Sequence, residues 1–390
     1  MRKKGMRNAD VHIETTEALL DFLSQCSGTD VLAIDTEFIR EKTYYPQLCL
    51  LQFATREHLA LVDPLAPLDL GVLGPLLVNP AVTKVFHAGD QDRALIFQEM
   101  GLVASPVFDT QWASMLLGLP TQASLSTLVH RYRGIVLPKA DSFSDWSARP
   151  LTTRQLEYAA DDVRYLPGIY DLMREELELN GRLTWLQQDF EEMALQAAKL
   201  NEPEEMWSKV KHASALSSRQ LASLREVAAW RERTAQARNL PRKWVLPDEA
   251  LVEIARNDPE DLEALFRIRG LRNRLGQLWA REVLRALEAA RALPDDAWPQ
   301  RRRTKSRTTD TAAARELMNA LVQLRARELH IAPSYLAPSS ELKALIAGDE
   351  ENLSLLSGWR LELIGHELKA LLEGRLALWL SEGVLKVGSR

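Results

Sequence analysis

The spacing of apolar and polar positions changes character partway along the chain. In the first half, apolar residues come in short unbroken blocks: VLAIDTEF at 31–38, CLLQFAT at 49–55, LALVD at 59–63 and KVFHA at 84–88. Blocks of this length and composition predict buried β-strands. The first three lie close together in sequence, which predicts a meander. Amphipathic stretches follow, among them RALIFQEM at 93–100 and QLEYAADDVRYLPGIYDLMREEL at 155–177. Thr152 or Thr153 supplies an N-cap for the second of these. Together the blocks predict a mixed sheet with helices on its faces.

From about residue 214 the chain reads as helix throughout. Leu221, Leu224, Val227 and Ala228 fall at helical spacing. Pro247 and Asp248 open a further helix, and DPEDLEALFRIRG opens another that stops at Gly270. The stretch 294–309 has no periodicity and reads as a linker. Across it runs a degenerate repeat: NLPRKWVLPDEALVEI at 239–254 aligns with HIAPSYLAPSSELKAL at 330–345. Trp244 falls on Tyr335, Pro247 on Pro338 and Leu251 on Leu342, the signature of a duplicated small helical unit.

Length and composition narrow the class. A chain of 390 residues fits two or three domains. Two cysteines, Cys26 and Cys49, cannot build a disulfide framework or a zinc cluster, so a reducing cytoplasm is the expected setting. No apolar run is long enough to span a bilayer, and no apolar signal core follows the basic start MRKKGMRNAD. The net charge of −5 conceals an asymmetry. Residues 1–207 carry 18 basic and 30 acidic residues, whereas residues 208–290 carry 16 and 11. An acidic module beside a basic one suits a catalytic unit coupled to one that touches phosphates.

Candidate chemistry sits on this framework. Asp35 and Glu37 are two apart in a strand, so their side chains share a face. Like charges there repel and are costly to bury without a counter-ion. The four apolar residues before Asp35 argue for burial, and a set of oxygen ligands suits a hard cation such as Mg²⁺ or Mn²⁺. A strand end at which both acids reach water is the other solution. Asp90 and Asp92 follow the KVFHA block at a helix start. Tyr158 and Asp162, four apart, share one helix face. Taken singly, Asp92 reads as a helix cap, Asp162 as a surface acid and Tyr158 as a core aromatic.

Taken together, Asp35-x-Glu37 in a strand, an aspartate after the FHA block and Tyr158-x-x-x-Asp162 resemble the three motifs of the DEDD exonucleases, in the subtype with a tyrosine. YYPQLCLLQ (44–52), HAGDQD (87–92), FDTQ (108–111), SDWSARPLT (144–152) and YAADDVRYL (158–166) are similar to segments of the ribonuclease D family. The repeated helical unit resembles the HRDC domain, more weakly in its second copy. The resemblance implies a ribonuclease H-like α/β exonuclease domain over 1–207, its mixed sheet flanked by helices. Two all-α HRDC-type domains are expected after it, over 208–293 and 309–390, joined by a basic linker at 294–308.

The resemblance also implies a site. Asp35, Glu37, Asp92 and Asp162 would hold two divalent ions, Mg²⁺ or Mn²⁺, with Tyr158 beside the attacking water. The tyrosine spacing selects Asp162 over Asp161. The family's spacing from the histidine selects Asp92, with Asp90 the fallback, and Asp109 supports the site rather than binding metal. Thr36, Phe38, His87 and Trp146 are candidates for contact with terminal nucleotides. Phe38 also suits core packing, and His87 a structural role. Arg267, Arg269, Arg272 and Arg274 crowd RIRGLRNR around a helix start, where backbone amides favour phosphate. Arg301, Arg302, Arg303, Lys305 and Arg307 form either a phosphate-tracking run or a solvated linker. The second helical copy is net acidic and suits packing or a protein partner.

The expected activity is metal-dependent 3′→5′ exoribonuclease action that releases nucleoside 5′-monophosphates. Its expected substrates are structured RNAs, above all single-stranded 3′ ends of tRNA precursors. A cytoplasmic monomer with no organic cofactor and no membrane attachment is expected. The rival readings are a 3′→5′ exonuclease acting on DNA and a non-catalytic nucleic-acid-binding protein with a decayed nuclease domain.

Overall fold

The computed structural model describes residues 10–138, 144–197, 202–299 and 311–390. They fall into two compact units, one built from residues 1–37, 48–198 and 303–390, the other from 38–47 and 199–302.

The first unit is organised by a six-stranded sheet. Its strands are β1 (Asp10–Ile13), β2 (Val31–Ile39), β3 (Gln47–Ala54), β4 (Leu59–Val62), β5 (Thr83–Phe86) and β6 (Val107–Asp109), in spatial order β1-β4-β3-β2-β5-β6. β3 and β4 pair antiparallel, which closes the expected meander. β1–β4, β2–β5 and β5–β6 are parallel. Val31, Leu32, Ala33 and Ile34 are wholly buried, as are Cys49, Leu50 and Leu51 beside them. An unbroken apolar run is what a central strand covered on both faces requires. β1 and β6 were absent from the sequence reading: with four and three residues they are too short to show a period.

Helices cover the sheet. Asp90–Met100 follows β5, Thr110–Leu116 follows β6, and Leu125–Arg133 comes next. The stretch expected as one helix at 155–177 is two, Thr153–Arg164 and Leu166–Leu179, with Tyr165 between them. Pro167 is the reason, since it lacks the N–H that would continue the ladder. Thr152 caps the first of the pair in a capping box with Gln155.

The two helical copies share an order of elements. In the second unit come Ser218–Arg238, Arg242–Val245, Asp248–Asn257, Leu262–Arg267 and Gln277–Arg291. In the first unit come Thr311–Leu329, Pro333–Leu336, Ser339–Ala347, a short turn and a last helical stretch ending at Leu372. The second copy packs on the nuclease portion of its own unit. Ala332 N–H bonds the Met115 carbonyl at 2.7 Å, and Arg182 reaches the carbonyls of Leu116 and Leu329. Tyr335 donates to Asp189, Arg360 sits 3.5 Å from the same carboxylate, and Trp185 stacks on Trp359.

Two expectations for the helical half need correction. The chain does not stay helical to its end: β7 (Leu376–Ser381) and β8 (Val384–Ser389) form an antiparallel hairpin. Glu382 and Gly383 both have positive φ, the two-residue turn whose twist matches the flanking strands. RIRGLRNR is not a helix start either. Arg267 ends one helix, and Arg269, Arg272 and Arg274 lie in the turns before Gln277, all exposed. The basic run at 301–307 lies outside the described residues.

Candidate active site

Asp35 and Glu37 leave β2 on one face, as their spacing requires. The Thr153–Arg164 helix delivers Asp162 against them, so that one carboxylate oxygen from each of the three lies within 4.8 Å of the others. Tyr158, one turn earlier, donates its hydroxyl to Asp162. Asp92 enters from the first turn of the Asp90–Met100 helix and is buried. One of its oxygens accepts the hydroxyl of Thr36, whose side chain thereby serves a carboxylate. Asp90 points outward with its side chain 72% exposed and pairs with Arg93, and Asp161 pairs with Arg164.

The electrostatics follow from burial. Desolvation comes first for Asp35, then Asp92, Asp162 and Glu37, and together they push its carboxyl well above the usual range. Glu37 is pushed up to about 8 by burial and by Asp162 and Asp92. Asp162 rises to about 7, mainly through burial, with Asp161 and Asp92 adding and the Tyr158 hydrogen bond opposing. Burial also raises Asp92, against the Thr36 bond. Four carboxyls that resist ionisation through burial and mutual repulsion are a fit for divalent cations with oxygen ligands. Burial and the same acids raise the Tyr158 hydroxyl, which stays protonated near neutral pH.

Two supports hold these groups in place. The first is Asp109, fully buried at the end of β6, which accepts from the N–H groups of Ala88, Gly89, Gln111 and Trp112. It thus ties the turn that launches Asp92 to the start of the next helix. Gly89 is required in that turn, since a Cβ would lie 2.5 Å from Cβ of Phe86. His87 bonds Thr110 at 2.9 Å and is lowered by burial, consistent with a neutral structural ring.

The second support is Arg149. Its guanidinium bonds Asp63 at 2.7 Å and the carbonyls of Cys49, Trp146 and Ala148 at 2.7, 2.8 and 2.9 Å. Trp146, on the loop so anchored, lies 6.1 Å from the Tyr158 ring. A cleft of about 1320 Å³ opens beside them, lined by Trp146, Gln155, Tyr158, Asp161 and Asp162 among others. Sequence reasoning quoted Arg149 inside SDWSARPLT without giving it a role and passed over Asp63. The signal was a lone arginine beside a buried tryptophan, and an acid ending the LALV strand. Phe38, half-buried, and the exposed arginines 267, 269 and 272 belong to the second unit.

Carboxylates from a central strand and two helices, beside a tyrosine and an open cleft, define a nuclease domain of the 3′-5′ exonuclease class. The 3′-5′ exonuclease family model matches residues 11–178, and the HRDC domain model matches residues 220–291. Ribonuclease D of Zymomonas mobilis is 40% identical over 379 residues, covering 95% of this chain and 96% of that protein. Ribonuclease D of Gluconacetobacter diazotrophicus is 40% identical over 370 residues, 94% of each. The crystal structure of Escherichia coli RNase D superposes with a TM-score of 0.81 at 34% identity, covering 93% of this chain and 98% of that one. The chain belongs to the ribonuclease D family. It is a metal-dependent 3′-5′ exoribonuclease whose RNA substrate meets a nuclease domain followed by HRDC-type helices. Among the described residues no helix is long and apolar enough to cross a membrane.

Proposed function

We propose that Asp35, Glu37, Asp92 and Asp162 hold two divalent ions, Mg²⁺ or Mn²⁺, and that Tyr158 orients the attacking water. The observation that carries this is the convergence of three carboxylate oxygens within 4.8 Å, with Tyr158 bonded to one of them. When bound, such ions lower the pKa of a water and offset charge on the departing 3′ oxygen. The chain's own residues supply the rest. The carboxylates fix the position of the positive charge. The Tyr158 hydroxyl, kept protonated, acts through hydrogen bonding rather than as phenolate base. Trp146 and the cleft beside it receive the 3′-terminal nucleotides, and the aromatic face gives a base something to stack on. Thr36 positions Asp92, and Asp109 positions the turn before it. Nucleoside 5′-monophosphates leave one at a time.

The substrate proposed is the single-stranded 3′ end of structured RNA, tRNA precursors first among them, handled by a cytoplasmic monomer. The Escherichia coli relative is described as an exoribonuclease involved in structured RNA processing, which supports this choice. Exposed Arg267, Arg269 and Arg272 support a phosphate-binding role for the first helical copy, as does its positive balance. We propose domain limits at 1–207, 208–293 and 309–390, with the duplicated order of helices as support.

The test uses labelled single-stranded RNA and matching DNA with Mn²⁺ or Mg²⁺. RNA should shorten from its 3′ end and yield nucleoside 5′-monophosphates. Tyr158→Phe should lower kcat about 100-fold or more while metal binding by calorimetry persists. Loss of metal affinity in that variant would remove tyrosine from the role assigned to it.

A further inference from the structure

The hairpin at the end of the chain has no counterpart in the first helical copy, which closes on its Gln277–Arg291 helix. It is therefore not needed to complete the helical unit, and its faces are unequal. Leu376, Leu378, Leu385 and Val387 alternate onto one face and are half-buried, with Leu380 exposed on the same face at the hairpin tip. The opposite face carries Ala377, Trp379 and Ser381 against Gly388, Lys386 and Val384. On it Trp379 is 48% and Val384 54% exposed. Lys386 stands directly across from Trp379 and has no carboxylate within salt-bridge distance among the described residues.

The indole lies flat along the neighbouring strand because residue 388 is glycine. A Cβ there would meet the Trp379 ring at 3.0 and 3.2 Å. A flat, open indole beside an unpaired ammonium is a poor fit to buried protein packing. It matches what a single strand of nucleic acid presents: a base with a π-face, and a phosphate one step away. Arg375 is taken up by Glu373, which leaves Lys386 and Arg390 against Glu382, so the remaining local charge has the sign a phosphate requires.

We infer that this face, centred on Trp379 and Lys386, is a stacking platform for single-stranded RNA outside the cleft that takes the 3′ end. The inference rests on the exoribonuclease reading and extends it to a second RNA contact. A base stacks on Trp379, and Lys386 meets its phosphate. The platform adds affinity for long strands and leaves the chemistry untouched.

Steady-state kinetics on the full chain test it, with a trinucleotide and a single strand of about 20 nucleotides, longer than one such site. Trp379→Ala should raise KM for the long strand about tenfold, the loss of one stacked base. It should leave kcat and all trinucleotide kinetics unchanged. Trp379→Phe should keep most of the affinity, which separates lost stacking from a misfolded hairpin. Lys386→Gln should flatten the salt dependence of long-strand binding by about 0.7 in slope. Unchanged KM for the long strand in Trp379→Ala would overturn the inference. So would a wild-type dimer that Trp379→Ala dissociates in sedimentation, because the face would then belong to a second copy. Failure of the wild type on the trinucleotide would instead strike at the nuclease reading itself.

Discussion

At the scale of single residues, the buried carboxyls store electrostatic cost that a bound cation would relieve. Glu37 and Asp162 bind protons in the folded state up to about pH 8 and about pH 7, whereas in an unfolded chain they would release them near pH 4. Between these limits the folded protein holds more protons than the unfolded one. Without metal, stability must therefore fall as pH rises from about 4 to about 8. The expected outcome is a melting temperature of the metal-free protein that drops on the order of several degrees between pH 5 and pH 8. Saturating Mn²⁺ or Mg²⁺ should remove most of that drop and raise the midpoint at pH 8, because cations replace the protons. A metal-free melting temperature that climbed over this range would contradict the burial assigned to these acids. The periods made legible that Asp35 and Glu37 share a strand face and that Tyr158 and Asp162 share a helix face, but only the family resemblance joined the two pairs. The bond from Thr36 to Asp92 was not legible, since it joins residues 56 apart.

At the scale of elements, what holds the site is as specific as what acts in it. The loop bearing Trp146 has almost no regular structure, yet Arg149 ties it to β3 through Cys49 and to the end of β4 through Asp63. Asp63 is nearly buried and its carboxyl is held below the usual range, with the Arg149 bond and backbone N–H of Leu65 outweighing burial. A guanidinium fork serves four acceptors here, a task an ammonium cannot copy. Arg149→Met should leave the Asp63 carboxylate buried and unpaired, destabilising the domain by about 3 kcal/mol in denaturant unfolding. Arg149→Lys should recover much of that stability. It should not recover catalysis: kcat should stay at least about tenfold down with KM for RNA raised, because the loop is no longer placed against Tyr158. Full recovery of kcat by lysine would reduce Arg149 to a source of stability alone. Elements with a long apolar block or clear period were legible, and β2, β3, β4 and β5 are examples. β1 and β6 escaped because three or four residues carry no period. The terminal hairpin escaped because its alternation was read as a continuation of helix, despite the Glu382-Gly383 turn signal.

At the scale of the whole molecule, one duplicated unit has been put to two uses. The pairing of Trp244 with Tyr335 was visible in the sequence through the shared proline and leucine positions. Its consequence was not, because the partners lie far away in the chain. Trp244 is 51% exposed, whereas Tyr335 is buried, donates its hydroxyl to Asp189 and meets Trp112 edge-on at 5.7 Å. Arg360 stacks over Tyr335 and Trp359 while facing the same aspartate. The helices of the second copy thus pack on the nuclease portion of their own unit. Their contacts reach the Thr110–Leu116 helix, whose N-terminus is Asp109 and whose C-terminal carbonyls take Ala332 N–H and Arg182. This arrangement requires the nuclease portion and the second copy to unfold together. Asp189→Ala strands a largely buried Arg360 and an unpaired Tyr335 hydroxyl, and should cost about 3 kcal/mol. Tyr335→Phe removes one bond to a charged acceptor and should cost about 2 kcal/mol. The two together should cost less than their sum, because both delete the same contact. If Asp189→Ala instead split unfolding into two transitions with the nuclease midpoint unmoved, the second copy would be an independent passenger.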